Sequence, residues 1–430
     1  MPSPRLILRG RLSTLALAAG VCLVLARGAS TQAALTRLDV LHRAYEIAKT
    51  IPSADQQAAT LADVGLALRE LDPEKSTQAL NEAVFTAASN PSQVGQALAQ
   101  QAVARRLQQV DPQRAEGLFQ SAIRTADQLH HPAQKALIYT EVACSRAGAA
   151  KEAALDLMAK AAEQARAVPE LGARVGTLQD VSKAYEPLDP ATADALFREA
   201  VKVAQGAPPG PERDLALAEL VGFIARRSIQ EAVQVAGGIA DPAAKSEALT
   251  ELVRAIAPRE PPQALELALS APDPATRIAA LADLSLAVGA SAPEIARTAA
   301  AKAAEAANAL PEDDAGHEAR AAAAVARAPV DLTEALAAAR KIGDPYFVDT
   351  ALSRIALFLV PSNLDRALSV TLEIERGVLQ SDPLCAVIDR LAERDPKQAY
   401  DLSAKIRARD KRVQALLTIA SHLPEKPGAG

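Results

Sequence analysis

The sequence contains no tryptophan, and only 3% of its 430 residues are aromatic. Strands are built from aromatic and β-branched runs, and a compact core of this length is normally filled by large side chains. Their scarcity argues against a β-rich protein and against one large globular core. About a quarter of the residues are alanine, which has the highest helix propensity. The composition therefore predicts thin layers of closely packed helices.

Cysteine is also scarce, with Cys22, Cys144 and Cys385 as the three examples. Cys22 lies in an apolar segment near the N-terminus. In a stack of repeats each unit contacts only its neighbours, so Cys144 and Cys385, 241 residues apart, should be beyond disulfide reach. We predict both to be free thiols that act as small buried or half-buried apolar residues.

The N-terminus has the pattern of a secretory signal. Arg5, Arg9 and Arg11 precede an apolar stretch over residues 12–26, and small residues follow at 28–33. We predict a signal peptide at residues 1–28 and export to the periplasm or the extracellular space of a bacterium. An uncleaved membrane anchor is the alternative, although about fifteen apolar residues fall short of the roughly 20 that span a bilayer.

Removal of the signal makes the chain more acidic. The 47 basic residues fall to 43 because four arginines leave, while all 52 acidic residues stay, giving a net charge of −9. An acidic chain without a basic face argues against non-specific nucleic-acid binding. No second apolar run is long enough to cross a membrane, so we predict no integral span in the mature chain.

Internal self-similarity is the strongest signal. Asp72-Pro73 and Asp111-Pro112 are 39 residues apart, and Asp189-Pro190 follows after a further 78. Because Asp caps a following helix and Pro suits its first position, each Asp-Pro predicts a corner between two antiparallel helices. Apolar columns recur at the same interval: Ala83/Ala122/Ala161/Ala200, Leu80/Phe119/Met158/Phe197 and Val64/Val103/Val142/Val181.

A shorter unit follows. Asp241-Pro242 and Asp273-Pro274 are 32 residues apart, and further corners are predicted at Asp344-Pro345, Asp382-Pro383 and Asp395-Pro396. The linker-like segment 205–212 (QGAPPGPE) marks the change of period. We predict an all-α, right-handed α-solenoid of antiparallel helix pairs, with 39-residue repeats over 35–206, units of 28–38 residues over 213–422 and a disordered tail at 423–430.

Three predicted second helices share an Ala-x3-(Phe/Met)-x2-Ala pattern, at Ala115/Phe119/Ala122, Ala154/Met158/Ala161 and Ala193/Phe197/Ala200. The pattern resembles the second helix of a tetratricopeptide repeat, and Val64-Gly65-x2-Leu68 resembles part of the first. The likeness covers about residues 57–205. The 39-residue period, against about 34 in that family, and the missing Trp depart from it. The shorter units are similar to HEAT-like or tetratricopeptide-like pairs.

Motifs for catalysis and cofactor binding are missing. Neither G-x-x-x-x-G-K, G-x-G-x-x-G nor G-x-S-x-G occurs. His317-Glu318 begins like a zinc-protease helix, but Ala321 stands where the second ligand belongs. We therefore predict no catalytic residue, no cofactor and no metal site, and thus no enzyme.

A basic cluster lies near the C-terminus. We interpret it as a helix end with cations near the helix dipole, with a docking patch for an acidic partner or a membrane surface as the alternative. Its members are Lys405, Arg407, Arg409, Lys411 and Arg412.

The tetratricopeptide resemblance implies that first helices line a concave groove. The polar side chains that would then face a protein or peptide partner are Arg69, Gln101, Arg105, Gln108, Gln179 and Lys183. Ordinary solvent-facing residues are the alternative interpretation. We predict an exported, non-catalytic scaffold that binds a protein or peptide. A structural spacer of an envelope complex, or an accessory superhelix of a cell-wall enzyme assembly, is the alternative function.

The signal pattern generates the first testable prediction. Intact-mass and N-terminal peptide analysis of the protein from its native source should place the mature N-terminus between residues 29 and 34. Recovery of chains that begin at Met1 in the cytosol would contradict export.

Overall fold

A computed structural model describes residues 35–424, which form twenty-two α-helices and no β-strand. The all-α class is confirmed. The predicted signal peptide and residues 425–430 of the predicted tail lie outside the described residues. The helices are α1 (Arg37–Ala48), α2 (Ala54–Leu68), α3 (Pro73–Ala88), α4 (Gln93–Leu107), α5 (Pro112–Gln128), α6 (Pro132–Arg146), α7 (Lys151–Arg166), α8 (Leu171–Tyr185), α9 (Pro190–Gly206), α10 (Pro211–Arg227), α11 (Ile229–Gly237), α12 (Pro242–Ile256), α13 (Pro261–Leu269), α14 (Pro274–Val288), α15 (Pro293–Asn308), α16 (Asp314–Arg327), α17 (Leu332–Arg340), α18 (Pro345–Leu359), α19 (Leu364–Glu373), α20 (Gly377–Arg394), α21 (Pro396–Ser403) and α22 (Arg409–Ser421).

The helices alternate between two roles. Each even-numbered helix from α2 to α20 is a first helix, and the odd-numbered helix after it is the second helix packed against it. Second helices come in two sizes: 16 or 17 residues in α3, α5, α7, α9 and α15, and 8 to 10 residues in α11, α13, α17, α19 and α21. The difference of about seven residues is two helical turns. It explains the two periods, and the long α15 explains why the spacing in the second half is irregular.

The Asp-Pro corners are formed as predicted at seven sites. The Asp72 carboxylate accepts a hydrogen bond from the Lys75 backbone N–H (3.0 Å), and Asp111 does the same for Arg114 (3.0 Å). In both cases Pro occupies the first helical position. Where the repeat lacks the dipeptide, Ala150 takes the capping position without a side-chain bond. The other five capping residues are Asp189, Asp241, Asp273, Asp344 and Asp395.

The predicted corner at Asp382-Pro383 is wrong, because the dipeptide lies inside α20. Proline has no N–H for the carbonyl four residues earlier, which is that of Leu379. In the structure the Leu379 carbonyl accepts a hydrogen bond from the Ser353 hydroxyl of α18 (2.9 Å). A neighbouring helix supplies the missing donor, so α20 continues through the proline.

The first helices form the inner layer of the wall. Each packs against the first helices of both adjacent pairs, in an unbroken series from α2 to α22. Neighbouring second helices separate, and within residues 35–424 only α13 and α15 have substantial contact with one another. A wall whose first helices touch while its second helices spread apart must curve. The free face of the first helices is therefore concave.

The two ends of the chain close this wall into a ring. α22 packs against α20 on one side and α2 on the other, and α1 packs on α22 as a second helix packs on its first helix. The Arg37 backbone N–H donates to the Pro424 carbonyl (3.4 Å), and the Arg409 guanidinium donates to the Thr50 carbonyl. The eleventh pair thus combines the last helix with the first. The predicted helix pairs are confirmed, but their stack is closed.

Two apolar clusters form the core of the ring. The larger one extends from Val40 in α1 to Ala420 in α22, and the smaller one lies across α16 to α20. α8 packs on α10 across the predicted linker at 205–212. Cys144 on α6 and Cys385 on α20 are both free thiols, as predicted. Cys385 is half-buried, but the prediction of burial is wrong for Cys144, which is exposed on the free face of α6. Along the shorter arc of the ring, α4, α2 and α22 lie between them.

The basic cluster at 405–412 contributes to the closure. Besides the Arg409 contact, Lys411 forms an ion pair with Asp382 of α20. The Arg407 side chain packs against Gly377 so closely that a Cβ at position 377 would clash with it. These contacts join α22 and the loop before it to α20 and to the loop after α1.

The ring closure generates the second prediction. Deletion of residues 1–50 removes α1 and uncovers the apolar face of α22, although the two helices are at opposite ends of the chain. Amide hydrogen exchange of residues 409–421 should accelerate by about tenfold or more. Without α1, fewer packing contacts hold α22 in place, so its backbone hydrogen bonds open more often.

Hydrogen-exchange mass spectrometry measures this effect, with deletion of residues 425–430 as the matched truncation that leaves every described helix in place. Unchanged protection of α22 after loss of α1 would show that the wall is open in solution.

Candidate partner-binding surface

The free face of the first helices is set by helical spacing. On α6 it carries Leu137, Glu141 and Cys144, and on α8 it carries Asp180 and Lys183, all of them exposed. These positions recur every three or four residues on the side that the second helices do not cover. Together they make the inner surface of the ring, which we call the inner surface from here on.

The structure places the six predicted site residues in three environments: exposed, half-buried and buried. Arg105 and Lys183 are exposed on the inner surface, and Arg69 is exposed just beyond the end of α2. Gln108, just beyond the end of α4, is half-buried. Gln101 and Gln179 are only 5% and 9% exposed. Gln101 and Gln179 therefore do not lie on the inner surface.

Gln101 shows why the two glutamines are buried. Its side-chain amide donates to the Glu141 carbonyl (3.2 Å) and to the Ser145 hydroxyl (2.5 Å), both on α6. Position 101 lies about 100° around the helix from position 102, which turns it from the open face towards the next first helix. Gln101 therefore joins neighbouring first helices.

Large apolar side chains on the inner surface were not predicted. Val378 is 83% exposed and Tyr346 is 48% exposed, although both lie on first helices in otherwise well-packed units. They fall outside the repeating columns, so the periodicity gave no signal for them. The exposed large apolar residues of the first helices are Leu137, Leu215, Tyr346, Leu357 and Val378.

A large cavity lies across α12, α14, α16 and α18. Its volume is about 530 Å³, and only residues of these four first helices line it. Its floor consists of small side chains, such as Ala279 and Ala322, while Tyr346 and Phe347 form one side. Glu247 and Glu318 also line it. We call it the alanine cavity.

A bridge of three charged residues crosses the same region. Asp283 on α14 pairs with Arg254 on α12 (2.8 Å) and with Arg354 on α18 (2.8 Å). The second pair passes over α16, which carries only alanine from 321 to 324. Short side chains on α16 therefore leave the space through which Arg354 reaches Asp283.

Three other acidic residues of the inner surface have no basic partner within the described chain. Within residues 35–424, Glu219, Glu247 and Glu318 form no ion pair, and all three are exposed. Partial burial removes water from the Glu219 carboxyl and raises its pKa. The nearby carboxylates of Glu247 and Asp180 raise this pKa further. α8, α10 and α12 thus bring like charges together.

The third prediction concerns this repulsion. A carboxyl whose pKa is raised by folding loses stability as the pH rises through that pKa, so Glu219 opposes folding at neutral pH. Glu219→Gln should raise the Tm at neutral pH by about 1–2 °C, because exposed charges contribute little. The gain should vanish near pH 4, where the wild-type carboxyl is protonated too.

Thermal melts by circular dichroism test this, with Glu141→Gln as the control because Glu141 is an exposed carboxylate on the inner surface of α6. An equal Tm gain in both variants, or a Tm gain from Glu219→Gln that persists at low pH, would contradict a repulsion local to Glu219.

Two further features of residues 35–424 bear on the site. None of the described helices has the length and apolar character needed to cross a membrane. The same part of the chain holds no group of three or more His, Cys, Asp or Glu side chains arranged to bind a metal ion.

The chain has a distant likeness to a solved structure. It is similar to the crystal structure of Ton1535 from Thermococcus onnurineus NA1, at 18% identity over 82% of this chain and 98% of that one, with a TM-score of 0.33. A likeness this distant supports no conclusion about function. No protein-family model and no curated protein matches the sequence.

Proposed function

We propose that the protein is an exported, non-catalytic scaffold whose inner surface holds a segment of a partner protein. The exposed apolar side chains on the first helices carry this proposal. Singly exposed apolar residues are common on protein surfaces, but here they lie on one concave face, and Tyr346 and Phe347 line the alanine cavity together. Export rests on the N-terminal signal pattern.

The form of the surface supports a binding role. Concave walls of helix pairs present many side chains from successive units to one extended or helical segment. Here the apolar positions are spread over α6, α10, α18 and α20, so a partner segment could contact several units at once. A structural spacer would use the outer second helices instead, and the test below separates the two roles.

The fourth prediction uses Cys144, an exposed thiol on the inner surface. A photoreactive benzophenone maleimide attached there, in a chain with Cys22 and Cys385 replaced by alanine, should crosslink to a discrete partner in an extract of the cell envelope. Mass spectrometry of the crosslinked peptides would identify it.

The matched control moves the same reagent to the outer layer. Phe85 on α3 is 73% exposed, so Phe85→Cys combined with Cys144→Ser places the label on a second helix. The proposal requires the partner from the inner position alone. Capture from the outer position alone would favour a spacer, and an absence of crosslinks from Cys144 would count against a scaffold.

A further inference from the structure

The alanine cavity has features that specify a class of partner. We propose that it is the docking site for a basic, partly apolar segment of a partner protein, with a Lys or Arg side chain between Glu247 and Glu318 and an apolar side chain against Tyr346. This inference rests on the proposed function and names the chemistry of the partner.

The shape of the cavity suits side chains from another chain. Its volume of about 530 Å³ lies in the range of protein pockets that enclose small molecules or a few side chains. The floor is built from alanines of α14 and α16, which leave room that larger residues would fill. Because four first helices line it, a bound segment would run across several units, along the curve of the wall.

The charges around the cavity favour a cation. Arg354 lines the cavity and shares Asp283 with Arg254 of α12. Arg254 also pairs with Glu251, and Arg376, whose guanidinium lies 5.7 Å from the centre of the Tyr346 ring, pairs with Asp349, so all three cations are satisfied within the protein. Glu247 and Glu318 are exposed and have no ion pair within the described chain. An acidic segment would meet these two unpaired carboxylates, whereas a basic segment would neutralise them.

The repulsion around Glu219 extends the same argument beyond the cavity. Glu247 lies close enough to raise the pKa of Glu219, and Asp180 adds to the effect from α8. The acidic region therefore continues from the cavity across α12 and α10. A cation near Glu247 would bind that carboxylate and would also weaken the repulsion between Glu247 and Glu219.

Tyr346 supplies the apolar contact. Its ring packs edge-on against Phe347, with ring centres 5.2 Å apart, and the Arg376 guanidinium lies 5.7 Å from its centre, yet about half of the residue's surface remains exposed. An aromatic ring at the side of an acidic cavity binds both the stem of a Lys or Arg side chain and an aliphatic side chain. The combination fits a segment with alternating basic and apolar residues better than a purely ionic partner.

The test compares three fluorescent peptides of equal length that share their Leu and Ser positions and carry Lys, Gln or Glu at the rest. Fluorescence polarisation with the full chain should show the tightest binding for the Lys peptide. The double variant Glu247→Gln/Glu318→Gln should weaken that peptide about fivefold to tenfold, as expected for two exposed charge pairs. Tyr346→Ser should weaken the Lys and Gln peptides alike.

The matched control is Glu141→Gln/Asp389→Asn, which removes two exposed inner-surface acids from α6 and α20. It should leave the Lys peptide's affinity within about twofold, and circular dichroism verifies that every variant is folded. Equal loss in both double variants would mean general attraction to an acidic ring and would overturn the inference.

The remaining outcomes are equally decisive. Equal or tighter binding of the Gln or Glu peptide, with loss in Tyr346→Ser, would overturn the basic-segment inference and leave the scaffold function standing. Self-association of the protein that disappears in Glu247→Gln/Glu318→Gln would identify a second copy as the occupant. Failure of all three peptides to bind, together with an absence of crosslinks from Cys144, would overturn both proposals.

Discussion

Close contact between successive first helices is the interaction on which the rest of the structure depends. Many buried residues of the first helices are alanines with no exposed surface, such as Ala58, Ala97 and Ala136, and such small side chains allow a close approach. The distance between packed helices depends on the side chains at the contact, and small residues shorten it. The second helices do not need to touch one another, so their length can vary by two turns while the inner layer keeps its geometry.

Closure removes a problem that an open repeat stack must solve. In a linear solenoid each terminal unit exposes one apolar face and needs a special cap. Within residues 35–424, α1 has no first helix before it and α22 has no second helix after it, so each supplies what the other is missing. The same residues that appear as incomplete half-units in the sequence complete one pair in the structure. The ring therefore has no terminal unit with an unpaired apolar face.

The sequence predicted the features that depend on local chemistry. The Asp-Pro caps, the helix pairs and the two periods follow from capping preferences and from regular columns of alanine, and they occur where those signals are clean. Asp382-Pro383 shows the limit of a local rule, because a hydroxyl from α18 satisfies the carbonyl that would otherwise end the helix. Ring closure joins helices with no repeat spacing between them, so no periodic signal could indicate it.

The candidate site was harder to predict for a related reason. The resemblance assigned polar residues of the first helices to a groove, but a shift of one residue around the helix places Gln101 and Gln179 between helices instead. The alanine cavity exists because α16 carries smaller side chains than α14 and α18. That property emerges only when residues from units of different length are aligned in three dimensions.

The eleven-fold closure also restricts how such a protein can change in evolution. A linear array can gain or lose a repeat at either end, since each addition meets one neighbour and leaves the other interfaces alone. In a closed ring every unit turns the wall by about one eleventh of a full circle. Duplication of a single unit would require a small change of angle at all the other interfaces at once. Variation is therefore easier in the length of a second helix than in the number of pairs, and the mixture of long and short second helices in this chain is the variation that such a ring permits.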